Sequence, residues 1–168
     1  GAAGGMPMTR RSQRLAFPVE PGYPPLHASV SHRVGFSEVD PMGIVWFGRY
    51  TSFFEEASAA LRDACGLSHA AFFEAGIQPP VVSYEVEYLL PSRLDEVLAV
   101  TAALHATAAA RLNMTFEVRG PDGSLRVVAR TVQVFVDAHT LAVCYTAPRI
   151  WTDCLARWRR GEFACPSA

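Results

Sequence analysis

The sequence predicts an α+β domain in which an antiparallel sheet wraps around one long helix. Three observations carry that expectation. Apolar and polar residues alternate in four runs between residues 80 and 137. Tyr50, Phe53, Phe54, Ala57, Ala60 and Leu61 define one helical face, with Glu55, Glu56, Arg62 and Asp63 mostly opposite. A Pro-Asp-Gly signal at 121–123 turns the third run back on the fourth as a hairpin. One long apolar helix cannot bury itself alone, and a curved sheet folded around it buries both.

Residues 1–26 read as a flexible tail. Arg10, Arg11 and Arg14 precede "FPVEPGYPP", whose four prolines discourage helix and central strand alike. The opening "GAAGG" reads as an expression remnant ahead of a start at Met6 or Met8. The folded domain is expected over 27–162, with 163–168 as a C-terminal tail. Alternation in "SVSHRVGF", with Val30, His32, Val34 and Phe36 on one face, predicts a strand that "DPMG" then breaks. The long helix stops near Gly66, and "SHAAFFEAG" reads as a short second helix ended by Gly76. The runs "PVVSYEVEYLL", "EVLAVTAALH", "RLNMTFEVR" and "LRVVARTVQVFVD" follow as an antiparallel meander. The last is apolar on both faces from Val132 to Val136 and is expected in the middle of the sheet. "LAVCYT" extends or caps the sheet, and Trp151, Leu155 and Trp158 at helical spacing predict a closing helix.

Composition narrows the function. The 168 residues suffice for one domain with a real core, half of them apolar and 18% charged. Fifteen basic residues, all arginine, against sixteen acidic ones leave no broad field for nucleic acid. No apolar run reaches the length of a membrane span and the first residues lack a charged segment followed by an apolar core, so neither a membrane span nor a secretory signal is expected. Cys65, Cys144, Cys154 and Cys165 form no CxxC pair and no zinc spacing, so isolated reduced thiols in a cytoplasmic protein are expected. The five histidines form no HxH or HxxxH, and there is no phosphate loop or Gly-x-Ser-x-Gly elbow. No metal and no cofactor are therefore expected. Glu85 and Glu87 share one strand face and read as solvent-exposed.

The stretch that carries chemistry is "DPMGIVWFGRYTSFFEEAS", residues 40–58. Asp40, Pro41 and Gly43 suit positions i, i+1 and i+3 of a type I turn. The uncharged "IVWFG" that follows is unlike a solvated connection and puts Asp40 at the lip of an apolar cleft near a helix N-terminus. Such an end offers unpaired N–H groups and a positive dipole. A carboxylate facing those donors is equipped for acyl transfer: it attacks the carbonyl or activates water, and the N–H groups hold the oxyanion.

This stretch resembles the signature of the 4-hydroxybenzoyl-CoA thioesterase family of hotdog-fold enzymes. The resemblance rests on Asp40, Gly43, "IVWF", Tyr50, the "FF" pair and Glu55, with support from "PPVVSYEVEYLLPSRLDEVLAV". It spans roughly residues 28–160. It implies a hotdog, thioester hydrolysis, and a site shared between two subunits of a homodimer or homotetramer. It implies Asp40 as the catalytic carboxylate, nucleophile or general base. Phe47 would supply a backbone N–H to the oxyanion hole, and Gly43 would let the backbone pass close to the site. Trp46, Tyr50 and partner side chains would line the acyl pocket, with Glu55 in a supporting role.

The chain departs from the family pattern at two positions. Phe47 and Arg49 stand where many members carry His and Asn. A backbone donor survives the first change; a side-chain role does not. The basic cluster that some members place before the strand near Arg111 is reduced to "HATAAAR", leaving Arg93, Arg111, Arg126 and Arg130 as candidates for carrier phosphates. An acyl-CoA and an acyl carrier protein thioester are both expected substrates. A non-catalytic hotdog module that binds acyl thioesters or a partner protein is the alternative. A hotdog hydratase would want a His beside an acidic residue, and sequence spacing places none near the helix.

Overall fold

The computed structural model describes residues 14–163. Strand β1 (Leu26–Arg33) leads through a 3-10 turn, Phe36–Glu38, and an irregular segment to a second 3-10 turn, Phe47–Arg49, that runs directly into α1 (Tyr50–Ala64). There follow α2 (His69–Ala75), β2 (Ile77–Gln78), β3 (Val81–Tyr88), β4 (Val97–His105), β5 (Arg111–Arg119), β6 (Leu125–Val134), β7 (Val136–Asp137) and α3 (Arg149–Arg159). The main sheet has the order β1-β4-β5-β6-β3 with every pairing antiparallel. β2 and β7 form a separate two-stranded ribbon.

The α+β hotdog architecture is the one observed. α1 lies on the inner face of the sheet and buries Phe53, Phe54, Ala57 and Leu61. Facing them are Leu98, Val100, Ala102 and Leu104 of β4 and Leu112, Met114, Phe116 and Val118 of β5, all buried in one core. Phe54 stacks on Phe116 with ring centroids 4.8 Å apart. Each of the Phe, Leu, Val and Met side chains among these buried residues contributes about 1.5–3 kcal/mol on burial, so this helix–sheet contact is a major source of stability. Ser68 caps α2, its Oγ accepting from Ala71 N–H at 3.1 Å, and Gly76 ends it at φ 67°. α3 seals one end of the core with Trp151 and Trp158. Their indole N–H groups donate to the carbonyls of Thr107 (3.0 Å) and Pro24 (2.9 Å).

Several expectations are corrected. Only β4, β5 and β6 form a meander; β3 crosses to the far edge and pairs with β6, not with β4. The connection 89–96 contains Pro91 and a positive φ at Asp95, and it makes no hairpin. β6 is internal but not central. "LAVCYT" forms no strand beyond one bridge, Val136 to Val143. Phe36 lies in a 3-10 turn past the end of β1 and is 83% exposed. Arg62, placed by periodicity on the polar face of α1, is buried and its Nε has no partner.

Arg10 and Arg11 lie outside the described residues, as does Cys165. Residues 14–25 do not behave as a solvated arm: Leu15 is 2% exposed and Arg14 pairs with Glu87 of β3. Glu85, read as solvated, pairs with Arg130 at 2.8 Å. Cys65 and Cys154, separate in sequence, meet in the core as free thiols. A hydrogen bond from the Cys154 thiol lowers the pKa of Cys65 and, together with burial, raises that of Cys154.

Candidate active site

The segment 39–46 is a tight hairpin pinned on both sides. Gly43 N–H donates to the Asp40 carbonyl at 2.9 Å, closing the turn that "DPMG" predicts, and Asp40 N–H donates to Ile44 O at 2.8 Å. Gly43 has φ 77°, a conformation in which a side chain is strained. The hairpin is held to the 91–94 segment, with Val45 N–H donating to Ser92 O at 2.8 Å and Ile44 bridging to Arg93. On its other side Trp46 N–H donates to Glu38 O at 2.9 Å.

The Asp40 carboxylate is oriented by its own turn. Oδ1 accepts Met42 N–H at 2.8 Å and Ile44 N–H at 3.4 Å, while no described residue donates to Oδ2. The side chain is half-buried, so one oxygen is held and the other is available.

The α1 entrance supplies the donors. Arg49 N–H makes the first helical bond, to Trp46 O at 2.9 Å, so the N–H groups of Phe47 and Gly48 precede the intrahelical ladder. A Cβ on Gly48 would overlap the Trp46 ring, so glycine lets the indole lie over the helix entrance. Tyr88 of β3 donates its hydroxyl to Phe47 O at 3.0 Å and fixes this turn from the sheet side. Arg49 donates to Ser37 O at 3.2 Å, so in place of the asparagine of other members it braces the segment before Asp40.

Asp40, Trp46, Phe47, Tyr50, Tyr88 and Leu90 share the wall of one cleft of about 310 Å³. The structure thus brings together Asp40, Phe47, Trp46 and Tyr50, with Gly43 in the adjoining turn. Arg93 is exposed and lies beside the cleft through its bridge to Ile44. Arg111 does not join them. It starts β5 opposite Val134, whereas the hairpin sits where β4 begins and β5 ends, about 26 Å away along eight strand rises. Arg126 and Arg130 are engaged elsewhere, in ion pairs with Glu96 and Glu85. Glu55 is exposed on α1 and is not in the cleft wall.

Sequence reasoning missed the supports. Arg126, 8% exposed, donates to Pro91 O at 2.7 Å, to Ser124 Oγ at 2.7 Å and to Glu96 at 2.9 Å. Glu96 in turn accepts Arg93 N–H at 2.6 Å, so the network fixes the segment on which the Asp40 hairpin rests. The Arg126 hydrogen bond leads the causes that hold Glu96 below its ordinary pKa. Burial pushes the Tyr50 phenol up, against the hydrogen bond to Ser92. Burial and then the nearby Tyr50 raise Tyr88 as well. No spacing rule pairs residues thirty apart, so Arg126–Glu96 was not visible; Tyr88 was visible only as an inward strand residue.

A histidine–carboxylate pair also stands near the helix, contrary to expectation. His32 Nε2 lies 2.8 Å from Glu38 Oε1, and its ring lies 4.2 Å from that of Phe53 of α1. Burial acts to raise the Glu38 carboxyl, but Gly35 N–H and His32 outweigh it and hold it below its ordinary value. Neither residue lines the Asp40 cleft. Among the described residues, no three His, Cys, Asp or Glu side chains converge as a metal would need.

A carboxylate with one free oxygen, two N–H groups outside the helical ladder and an apolar wall meet in one cleft, an arrangement that can serve acyl transfer. The chain belongs to the thioesterase-like superfamily, whose family model matches residues 34–156. It is 30% identical over 79 residues to the 4-hydroxybenzoyl-CoA thioesterase of a Pseudomonas species, covering 45% of this chain and 56% of that one. It is 26% identical over 105 residues to the acyl-CoA thioester hydrolase YbgC of Escherichia coli, covering 62% and 78%. Its fold matches the DHNA-CoA thioesterase of Staphylococcus aureus with a TM-score of 0.72 at 19% identity, over 84% and 97% of the two chains. Among the described residues, no helix is long and apolar enough to cross a membrane.

Proposed function

We propose that the protein hydrolyses an acyl thioester in the cleft between Asp40 and the entrance of α1. The observation that carries this is the shared wall of Asp40 and Phe47 beside two N–H groups outside the helical ladder. The thioester carbonyl would lie with its oxygen towards the Phe47 and Gly48 N–H groups. Asp40 would attack the carbonyl carbon or take a proton from the attacking water. Either route places negative charge on the carbonyl oxygen, where the N–H groups and the helix dipole stabilise it. Collapse expels the thiolate, which takes up a proton; on the general-base route the attacking water has already become part of the carboxylic acid, and on the nucleophilic route water then cleaves the Asp40–acyl anhydride, releasing the acid and restoring the carboxylate.

The acyl group is assigned to the wall of Trp46, Tyr50, Tyr88 and Leu90. The names of the two curated relatives favour an acyl-CoA as substrate. Arg93 is the one predicted phosphate ligand beside the cleft; an acyl carrier protein thioester is the second substrate class. We further assign the edge strand β3 to a homodimer contact. Val82, Tyr84 and Tyr88 are exposed there with Trp46 and Phe47 alongside, and a second copy would cover them and close the pocket. A homotetramer and a cytoplasmic location complete the reading.

The test is thiol release from a panel of acyl-CoA and acyl carrier protein thioesters, with Asp40→Asn as the control. Release that depends on Asp40 supports hydrolysis. Saturable binding of the same thioesters with no release would assign the chain to the non-catalytic alternative.

A further inference from the structure

The Asp40 carboxylate and the Phe47 and Gly48 N–H groups belong to opposite limbs of one hairpin. Asp40 ends the incoming limb, and the donors continue the outgoing one. Trp46 N–H to Glu38 O at 2.9 Å and Asp40 N–H to Ile44 O at 2.8 Å join the two. The outgoing limb is fixed from outside by neighbouring segments. Val45 N–H donates to Ser92 O, Ile44 bridges to Arg93, and the Tyr88 hydroxyl holds Phe47 O. The incoming limb is supported differently. Beyond its local turn bonds, its supports among the described residues come from side chains, and they centre on Glu38.

Glu38 Oε1 accepts Gly35 N–H at 2.7 Å, which ties the carboxylate back across the 3-10 turn Phe36–Glu38. The same carboxylate faces His32 Nε2, 2.8 Å from Oε1 and 3.0 Å from Oε2. An ionised carboxylate only accepts, so Nε2 carries the hydrogen. His32 is itself seated. Its ring lies 4.2 Å from that of Phe53 of α1, and its Nδ1 lies 3.7 Å from Glu56 Oε2. Glu38 thus fastens the incoming limb to β1 and, through the His32 ring, to α1. Arg49 adds a tie at 3.2 Å to the adjacent Ser37 O. The Glu38 and His32 side chains are 15% and 20% exposed, so water competes weakly for their bond.

Neither residue lines the cleft, so neither touches substrate there. Any effect on the chemistry runs through the hairpin. Glu38 stands two residues before Asp40, and its carbonyl receives the N–H of the residue before the Phe47 donor. Without its side-chain anchor the incoming limb can pivot, while the outgoing limb stays tied to Ser92 and Tyr88. We propose that Glu38 is a positioning residue for the hydrolysis assigned above: held by His32 and Gly35, it sets the distance between the Asp40 carboxylate and the Phe47 and Gly48 N–H groups. This inference rests on that reading of Asp40.

The test is steady-state thiol release by the full-length protein on the best thioester of the panel, with active protein counted by urea denaturation of each variant. A reacting group displaced by about 1 Å costs about 100-fold, so Glu38→Ala should lower kcat by about 10–100-fold with KM within about threefold. Glu38→Gln should return kcat to within about fivefold of wild type, because its amide oxygen accepts Gly35 N–H and its NH₂ donates to a His32 whose hydrogen has moved to Nδ1, beside Glu56. His32→Phe keeps a ring against Phe53 but removes the donor. It should lower kcat by about tenfold, and adding it to Glu38→Ala should cost no more than Glu38→Ala alone, since both act through one contact. If Glu38→Ala does not fold, His32→Phe and Glu38→Gln decide. Wild-type kcat in folded Glu38→Ala or in His32→Phe would overturn the proposal, as would a loss confined to KM or a Glu38→Gln as slow as Glu38→Ala. With Asp40→Asn slow, those results leave the hydrolysis reading standing. Near-wild-type turnover by Asp40→Asn would overturn that reading and this inference with it.

Discussion

Replacing Arg126 with methionine tests how the Asp40 hairpin is held. Arg126 is 8% exposed, and its guanidinium is bonded to Pro91 O, Ser124 Oγ and Glu96. Methionine keeps most of the stem but leaves the Glu96 carboxylate without its cation. Breaking a fully buried pair on one side costs about 3–5 kcal/mol. The Glu96 side chain is 21% exposed and recovers some hydration, so the expected loss is about 2–3 kcal/mol. With a urea slope of about 2 kcal/mol/M, the denaturation midpoint should fall by about 1–1.5 M. Adding Glu96→Gln should restore about half of that, because the orphaned charge disappears. Glu96 has a depressed pKa when folded, so its contribution is present above the unfolded value of about 4.3 and is lost as pH falls through the folded value. The gap between wild type and Arg126→Met should therefore narrow on acidification below about pH 4. A midpoint change under about 0.2 M, or a gap that widens in acid, would refute the reasoning.

Other expectations address the site directly. Tyr88→Phe removes the hydroxyl that holds Phe47 O; steady-state kinetics should show kcat about tenfold lower with KM within about threefold, since the interaction positions the donors. Gly43→Ala forces a side chain onto φ 77° and should lower stability by about 1–2 kcal/mol in urea, with a larger relative fall in turnover. Gly48→Ala should swing the half-exposed Trp46 off the helix entrance, red-shifting its fluorescence and raising KM, while the thermal midpoint barely moves because alanine favours the helix by about 0.5–1 kcal/mol.

Local regularities made most of the fold legible. The alternation at Leu98–Leu104 and Leu112–Val118 and the helical face at Phe53–Leu61 each depend on neighbours within one element, and each reappears as a buried face. The Asp40 turn was legible for the same reason, since its bonds run between residues two to four apart. Strand order was not. β3 finds β6 across forty residues, and nothing in "LLPSRLDE" says that the chain changes edge. The segment 14–25 misled because its prolines exclude regular structure but not packing; Leu15 and Phe17 settle on the sheet without forming a strand. The phosphate candidates also separated for long-range reasons. Arg126 and Arg130 find carboxylates on other elements, and Arg111 lies at the wrong end of β5.

The central claim is that the carboxylate of Asp40 carries the chemistry. The most direct measurement is kcat/KM for wild type and Asp40→Asn on the best thioester of the panel, followed by free-thiol titration. Asparagine keeps the size of the side chain and can still accept Met42 N–H, so the hairpin should persist. The account predicts a fall of about 10²–10⁴-fold with an unchanged thermal midpoint. Hydrolysis by Asp40→Asn at near the wild-type rate would contradict it.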